Sequence, residues 1–405
     1  MFSVMPFFEN LSNPLSNSTI GKKLDRPFPP PNDRRLIRGD RWRTGSGSRG
    51  AGGMDLSHPA GACLFTGITV PSPGAFPTYP ASWYLFCRSC ELREKPQSRY
   101  TLGRELVAFR TSSGRVAVLN ARCSHLRADL GRGRVLGEAI QCPYHHWEYG
   151  PDGRCIHIPS QESIPDFARQ SSYPVMERHG YVFFFNGPEA LFPLPFFPDC
   201  RTEDFTASKP LHFLGDFSWF LFAANSFDVQ HWHLHDRKLL GLPAVDCFHP
   251  FARRIRFKAQ VVGRSVFDRL TRRLAGDTLE MSITNWGGPM FVVSACFPRL
   301  RSYGLVCSQP LGADKPLQVT VIVLARTSRS RLARMVFEPI RLWVRRLFTK
   351  AFVGSEFDEL AGIRYCPHSL TESDRIMSEY FQWAANLPQE GSPDRHNGAN
   401  NGCRG

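Results

Sequence analysis

The sequence predicts an α+β protein in which a small all-β domain is followed by an antiparallel sheet with helices packed over it. Short alternating runs separated by turns occupy the chain from about 80 to 190. From about 205 to 390, runs that alternate like strands are mixed with long runs of helical spacing. A chain of 405 residues is long enough for about two or three domains with sizeable cores.

Each predicted element depends on its own pattern. In the first domain, ASWYLFCRSCEL and RHGYVFFFNG are strand-like, and ELVAFRTSSGRVAVLN is typical of a hairpin that turns at SSG. In the second domain, RIRFKAQVVG, LEMSITNW, MFVVSACF and LQVTVIVLAR alternate like strands. The segments SWFLFAANSFDVQHWHLHDRKLL and RLARMVFEPIRLWVRRLFTKAFVGSEFDELAGIRY have the spacing of helices that cover a sheet.

The two ends of the chain differ from its middle in composition. Residues 1–75 are rich in Pro, Gly, Ser and Arg, and such a stretch buries too little apolar surface to offset its ordering entropy. We therefore predict a disordered basic extension over 1–75, with Met54 as the natural start, and a disordered tail over 389–405. The two folded domains are predicted at 80–190 and 200–388.

Charge and cysteine content narrow the class of function. The formal net charge is +14, but no nucleic-acid-binding motif accompanies it, so we predict no nucleic-acid partner. Solvated charged faces, or a surface for an acidic redox partner, account for the excess charge better. The 12 cysteines are scattered, which predicts a reducing compartment. No apolar run reaches the roughly 18 to 20 residues that cross a bilayer, and the opening is a poor signal peptide. A cytoplasmic location without a transmembrane segment is predicted.

The stretch CSHLRADLGRGRVLGEAIQCPYHHW contains two Cys/His pairs, Cys123 with His125 and Cys142 with His145. Two thiolates and two imidazoles on adjacent loops suit a two-iron, two-sulfur cluster in which each loop reaches both irons. Zinc is the alternative, but zinc sites more often use C-x2-C and H-x3-5-H pairs. The pattern C-x-H followed by C-x2-H favours the cluster.

A second candidate metal site lies in NSFDVQHWHLHD. Mononuclear iron that activates dioxygen needs two histidines and one carboxylate on one face. His231 and His235 stand four residues apart, so a helix projects them from one side, and Asp228 is placed to accept the other ring N–H of His231. His233 is the alternative second ligand if the turn is distorted.

The chain resembles a known family at these residues. CSH…CPYHHW matches the Rieske pattern, and the stretch from about 80 to 390 resembles the large subunit of Rieske non-haem iron oxygenases. The first half is particularly similar to the aminopyrrolnitrin oxygenase branch, in ASWYLF-RS-EL and in CIHIP after the cluster loop. Respiratory Rieske proteins have an additional cysteine in each loop, where this chain has Leu126 and Pro143.

The resemblance implies an all-β Rieske domain followed by a helix-grip catalytic domain, and it implies the remaining iron ligand. The family motif N-x2-D-x2-H-x4-H has four residues between its histidines, whereas this chain has three. Aligning GIRY on the family pattern puts Glu356 at the position of the family's aspartate, with Asp358 two residues off register and Glu359 as a third acidic candidate.

The function implied is the terminal oxygenase component of a multicomponent Rieske system. Electrons from NADH or NADPH would arrive through a separate ferredoxin or flavoprotein reductase, because no nucleotide-binding fingerprint is visible in the chain. Mononuclear Fe(II) would then use O2 to oxygenate an apolar or aromatic small molecule, as a monooxygenase or a dioxygenase. The resemblance implies a homotrimer in which Asp228 bridges His231 to a Rieske histidine of the neighbouring subunit.

Two alternatives remain open. The shortened histidine spacing and the Glu at position 356 favour, as a second hypothesis, a Rieske electron-transfer protein with a degenerate mononuclear iron site. Separately, arginines interleaved with apolar residues over 329–350 are compatible with docking on a membrane surface. Because this stretch leads directly into the proposed iron ligand, we expect it to cover the catalytic sheet instead.

Overall fold

A computed structural model describes residues 70–93, 95–234, 237–312, 316–328 and 330–389, without the side chains of 233–237. The described residues all belong to one compact unit. None of the helices in this part of the chain is long and apolar enough to cross a bilayer.

Eleven strands in the first half form three small antiparallel sheets, ordered β1-β11-β10, β2-β3-β4-β9 and β5-β6-β7-β8. They are β1 (Trp83–Arg88), β2 (Gln97–Thr101), β3 (Arg104–Arg110), β4 (Val116–Asn120), β5 (Arg134–Leu136), β6 (Ala139–Gln141), β7 (Glu148–Tyr149), β8 (Cys155–His157), β9 (Ser172–Tyr173), β10 (Val175–Arg178) and β11 (Tyr181–Phe185). The two-residue turn between β2 and β3 has φ of 50° at Leu102 and 73° at Gly103, the left-handed conformation that suits a tight hairpin.

The second half contains a nine-stranded antiparallel sheet and five helices. The strands are β12 (Phe205–Ala207), β13 (Leu211–Gly215), β14 (Arg237–Leu239), β15 (Ala244–His249), β16 (Ala252–Val261), β17 (Thr278–Trp286), β18 (Met290–Cys296), β19 (Arg301–Pro310) and β20 (Leu317–Arg326). The helices are α1 (Trp219–Asn225), α2 (Val229–Leu234), α3 (Val266–Leu274), α4 (Arg331–Glu359) and α5 (Arg375–Ala385). The predicted α+β class is confirmed.

The period-two alternation of the long strands separates the two sides of the large sheet. In β18, Phe291 packs into the core under the helices, whereas Val292 packs into a second core with Trp83 and Phe183 of the first half. The sheet therefore shares one core with β1 and β11 and another with the helices. This double packing explains why the described residues form one unit instead of two separate lobes.

Two expectations about local structure need correction. The segment from 218 to 240, predicted as one helix, is two short helices, α1 and α2, followed by strand β14. The break comes at Ser226–Asp228, because Asp228 accepts backbone N–H groups of the next turn and so begins a new helix. Residues 70–75, predicted as part of the disordered extension, include a 3-10 turn at Pro73–Ala75, and the Pro71 carbonyl accepts a hydrogen bond from Tyr365.

The other parts of the predicted extension and tail, 1–69 and 390–405, lie outside the described residues, as does the predicted start at Met54. Gln389, the first residue of the predicted tail, forms an isolated bridge with Pro80. The domain limits 80–190 and 200–388 stay predictions, although the strands of the two halves pair only within their own sheets.

Candidate metal centres

The first candidate site is built from two loops with the same backbone shape. Cys123 follows β4 and its N–H donates to the Ala128 carbonyl at 2.9 Å, and Cys142 follows β6 and its N–H donates to the Trp147 carbonyl at 2.8 Å. Each loop therefore closes across six residues. The fifth residue of each loop is left-handed, with φ of 62° at Arg127 and 59° at His146. The unequal spacings C-x-H and C-x2-H are thus accommodated in equivalent turns.

The four side chains of this site divide into a buried pair and an exposed pair. Cys123 and Cys142 are 1% and 2% exposed, whereas His125 and His145 are exposed. The two imidazole rings lie 4.7 Å apart between centroids, and His125 stacks in parallel on Trp147 at 4.6 Å. The thiols thus form the inner end of the site, and the imidazoles form its solvent end.

The inner end favours negative charge on sulfur. Tyr149 Oη lies 3.1 Å from Cys123 Sγ and 3.0 Å from Ser124 Oγ. The hydrogen bond from Cys142 is the largest of the effects that lower the pKa of Cys123 to about 6, and Tyr149 contributes in the same direction against burial. The same Cys142–Cys123 bond raises the pKa of Cys142. A site that stabilises thiolate in this way suits a thiolate-ligated metal cluster.

This donor set fits a two-iron, two-sulfur cluster. The buried thiolates would hold one iron, and the exposed imidazoles would hold the other at the protein surface. Stacking on Trp147 fixes the plane of the His125 ring before any metal binds. The predicted residues Cys123, His125, Cys142 and His145 are therefore brought together on two adjacent loops.

The second candidate site lies where α1, α2 and the C-terminal part of α4 meet. His231 Nε2 of α2 lies 2.9 Å from Glu356 Oε2 of α4, and both residues are buried, at 7% and 8% exposed. Asn225, the last residue of α1, donates from Nδ2 to the same Glu356 oxygen at 2.9 Å. Asn225 and His231 precede Glu356 by 131 and 125 positions in the sequence, and both contact its carboxylate.

The electrostatics of this site favour a cation. Burial opposes charge on His231, but the hydrogen bond with Glu356 and the nearby charges of Glu356, Glu359 and Asp228 outweigh it and raise the pKa of the imidazole. Three carboxylates therefore stabilise positive charge at one imidazole. A divalent metal ion bound there would receive the same stabilisation.

The His231–Glu356 distance fits a shared metal ion. Two ligand atoms each about 2.1 Å from a metal and about 90° apart are separated by about 3 Å. The measured 2.9 Å agrees with that separation. The imidazole and the carboxylate would then need little movement to bind a common ion.

The other residues predicted for the second site are Asp228, His235 and the alternative ligand His233. Asp228 uses Oδ1 to accept the backbone N–H groups of Gln230 at 2.9 Å and His231 at 3.1 Å, so its bond to the His231 ring stays a prediction. His231 lies on α2, whose bounds are Val229–Leu234, and the projection of His231 and His235 from one helix face stays a prediction. His235 itself lies outside the described residues, and the side chain of His233 is not described.

The acidic alternatives to Glu356 are also placed. Asp358 is exposed on another side of α4. Glu359 is exposed as well, and its Oε2 lies 3.7 Å from His231 Nδ1. Of the three candidates, Glu356 is the one that lies within hydrogen-bond distance of His231 Nε2.

Sequence reasoning assigned no role to Asn225 and Tyr149, and it named Glu359 only as an alternative iron ligand. Asn225 holds the Glu356 carboxylate, Glu359 approaches the second nitrogen of His231, and Tyr149 contacts Cys123. The asparagine that opens N-x2-D-x2-H was the available signal for Asn225. Helical spacing to Glu356 was the available signal for Glu359. No local sequence signal relates Tyr149 to Cys123.

The segment that contains the first site matches a known domain family. Residues 82–168 match the Rieske [2Fe-2S] domain family. The chain is 45% identical over 123 residues to aminopyrrolnitrin oxygenase of Pseudomonas fluorescens, covering 28% of this chain and 34% of that protein. It is 39% identical over 101 residues to the oxygenase component of 3-ketosteroid-9-alpha-monooxygenase of Rhodococcus rhodochrous, covering 25% and 26%. The matched part is thus about a third or less of the length of these curated relatives.

The fold of the described residues has solved counterparts. A crystal structure of dicamba monooxygenase with non-heme iron and dicamba aligns with a TM-score of 0.52 and 21% sequence identity, covering 76% of this chain and 96% of that one. At this identity the similarity establishes the fold. It extends well beyond the Rieske segment into the second half of the chain.

Proposed function

Given that the chain contains a Rieske [2Fe-2S] domain and has the fold of the Rieske oxygenases, we propose that it is the terminal oxygenase component of a multicomponent Rieske system. The observation that carries this proposal is the buried contact between His231 and Glu356. An electron carrier needs the first site alone, whereas an oxygenase needs a second site that holds iron with oxygen and nitrogen ligands.

At the first site, the protein positions an electron entry point. A [2Fe-2S] cluster supplies one-electron transfer when bound by Cys123, His125, Cys142 and His145. The exposed rings of His125 and His145 would let a redox partner approach the cluster from the protein surface. The inner end of the site is shielded from water, because Cys123 and Cys142 are buried. Two neutral imidazoles raise the reduction potential relative to an all-cysteine cluster.

At the second site, the proposed iron ligands are His231, Glu356 and His235. Mononuclear Fe(II) supplies reductive activation of dioxygen when bound there. Asn225 orients the Glu356 carboxylate through its hydrogen bond to Oε2. Asp228, a positioning residue, holds the first turn of α2 and thereby the backbone of His231.

The surroundings of the second site support an apolar or aromatic substrate. Phe222 lies one helical turn before Asn225, and its ring is 5.7 Å from Phe291 and 5.9 Å from Phe357, the residue after Glu356. Aromatic side chains exclude water around the carboxylate and offer dispersion contacts to a flat or apolar molecule. An iron site with these surroundings is compatible with hydroxylation, N-oxygenation and dealkylation.

The remaining parts of the proposal concern partners and location. The relatives named as oxygenase components support a separate ferredoxin or flavoprotein reductase, with NADH or NADPH as the ultimate donor. We further propose a homotrimer in the cytoplasm, in which the Rieske centre of one subunit serves the iron of its neighbour.

The test is a dioxygen-consumption screen with a surrogate ferredoxin and reductase, with products read by mass spectrometry. We expect substrate-dependent uptake and a product that gains oxygen or loses an alkyl group. Absence of uptake with every apolar and aromatic compound would count against the oxygenase.

The second candidate function is a Rieske electron-transfer protein with a degenerate mononuclear site. It is favoured by the three-residue spacing between His231 and His235 and by Glu356 in place of the family's aspartate. Iron analysis distinguishes the two, because an oxygenase should contain about three irons per chain and a carrier about two.

A further inference from the structure

The outward side of the first half of α4 exposes a row of large apolar side chains. Leu332, Val336, Ile340, Trp343 and Leu347 stand three or four residues apart, so they share one side of the helix. Their exposed fractions are 68%, 46%, 56%, 59% and 45%. A surface helix normally turns such a row towards the core, so this row needs another explanation.

The inner side of the same helix is already packed, so the helix is not rotated out of place. Glu338 and Leu342 are buried, and Glu338 accepts a hydrogen bond from Thr206 Oγ1 at 3.1 Å. Arg346 donates to the Pro210 carbonyl at 3.2 Å. The helix therefore covers the sheet at β12 and β13 as expected, and its apolar row is additional to that packing.

Helix α3 extends the exposed surface. Phe267, Leu270 and Leu274 share one side of this helix and are 45%, 38% and 54% exposed. The Phe267 ring packs edge-to-face on Phe348 of α4 with 5.5 Å between centroids. We call these exposed residues of α3 and α4 together the outer apolar surface.

The charges around the outer apolar surface are almost entirely positive. Residues 331–350 contain six Lys or Arg and a single acidic residue, Glu338, which is buried. Arg331, Arg341 and Lys350 have no carboxylate partner among the described residues. Two copies of this chain facing each other through this surface would bring like charges together, which disfavours a two-fold contact between copies at this surface.

We propose that the outer apolar surface docks on the surface of an anionic phospholipid bilayer. An amphipathic helix with apolar and aromatic side chains on one side and Arg or Lys at its edges lies in the interfacial region, with the apolar side chains in the acyl boundary. The flanking cations are attracted to anionic headgroups. Trp343 is the kind of side chain that such interfaces favour. The docked protein is peripheral, and this binding is independent of the oxygenase activity.

The experiment uses the full chain with its cluster and unilamellar vesicles of phosphatidylcholine, with or without phosphatidylglycerol. We expect co-sedimentation with the mixed vesicles, weaker binding to phosphatidylcholine alone, and release as salt is raised. The double change Ile340→Ser with Trp343→Ser should lower the partition coefficient about tenfold, because two large side chains leave the acyl boundary. Retention of the Rieske absorption spectrum shows that the variant is folded.

The matched control is Ile156→Ser, since Ile156 of β8 is 54% exposed and Ile340 is 56% exposed. It should bind vesicles like the unchanged protein. A second variant, Arg331→Gln with Arg341→Gln, should weaken binding to the mixed vesicles several-fold and leave binding to phosphatidylcholine unchanged.

Three results would overturn the proposal. The first is no co-sedimentation with the mixed vesicles. The second is full binding by the Ile340→Ser, Trp343→Ser variant, which would assign the binding to charges elsewhere in this basic chain. The third is a change in the size of the assembly caused by that variant in sedimentation velocity, which would assign the surface to contact between copies.

Discussion

Individual residues decide what the second site is able to bind. Glu356 lies on the buried side of α4, where His231 Nε2 and Asn225 Nδ2 each approach its Oε2 at 2.9 Å. Asp358 is two positions away, which is about 200° around a helix, and it faces solvent. The two carboxylates therefore have different expected roles despite their proximity in sequence.

The first prediction concerns this carboxylate. Glu356→Ala should remove the mononuclear iron, lowering the content from about three to about two irons per chain, and abolish product while leaving the Rieske spectrum intact. Glu356→Asp should retain part of the iron, because a shorter carboxylate still chelates. Asp358→Ala, the control, should keep full iron. Loss of iron in Asp358→Ala but not in Glu356→Ala would show that the assigned register is wrong.

The second prediction separates two roles of Asp228. Its Oδ1 caps the first turn of α2, so Asp228→Ala should cost about 1 kcal/mol of stability, whereas Asp228→Asn preserves the cap. If the carboxylate also bridges His231 to a Rieske histidine, both variants should keep iron but reoxidise their reduced Rieske centres slowly in stopped-flow absorbance. Slow reoxidation in Asp228→Ala alone would assign the effect to the cap.

Among the elements, α4 connects distant parts of the protein, because its N-terminal half contacts the sheet edge and its C-terminal end contacts the second site. Its N-terminal half is fastened by Glu338, which accepts the Ser328 N–H and the Thr206 hydroxyl, just before Pro339 interrupts the helix hydrogen bonds. Its C-terminal end carries Glu356 to His231. The length of this helix, 29 residues, is what allows one element to fasten the sheet edge and supply the site.

The third prediction tests that fastening. Glu338→Ala should lower the free energy of unfolding by about 1–3 kcal/mol, because the partly buried Ser328 N–H loses its acceptor. Glu338→Gln keeps one acceptor oxygen and should lose less. The control, Glu379→Ala on the exposed side of α5, should stay within about 0.5 kcal/mol of the unchanged protein. Urea unfolding followed by circular dichroism measures all three, and equal midpoints for Glu338→Ala and Glu379→Ala would contradict the fastening role.

At the scale of the whole molecule, the large sheet packs strands β1 and β11 of the first half on one side and the helices on the other. The exposed His125 and His145 face outward from the chain, which suits electron transfer to another protein surface. In the proposed trimer, these histidines would face the neighbouring subunit, and they would also accept electrons from the reductase partner.

The fourth prediction tests electron transfer between subunits. Cys123→Ser removes a cluster ligand and Glu356→Ala removes an iron ligand, so each variant alone should be inactive. When the two are co-expressed and assemble at random, about a quarter of neighbouring pairs combine an intact cluster with an intact iron site. Activity near a quarter of the unchanged protein supports transfer between neighbours, measured as product per total protein. Inactivity of the mixed assembly, once shown to contain both variants, would contradict it.

Features that depend on neighbouring residues were predictable from the sequence alone. The two Cys/His loops are local turns, so their candidate ligands could be proposed from spacing, and residues 82–168 match the Rieske domain. Strands β16, β17, β18 and β20 and the long helix α4 were predicted near their observed limits, because alternation and helical spacing persist over many residues.

Features that depend on contacts between distant residues became visible in the three-dimensional structure. The break between α1 and α2 arises where Phe227 enters the core and Asp228 caps a new turn, which overrides the helical spacing of the segment. Likewise, which acidic residue of α4 lies against His231 follows from the side that α4 turns towards α2. Spacing along one helix does not show which side of α4 faces α2. That orientation is set by packing between elements more than 100 residues apart.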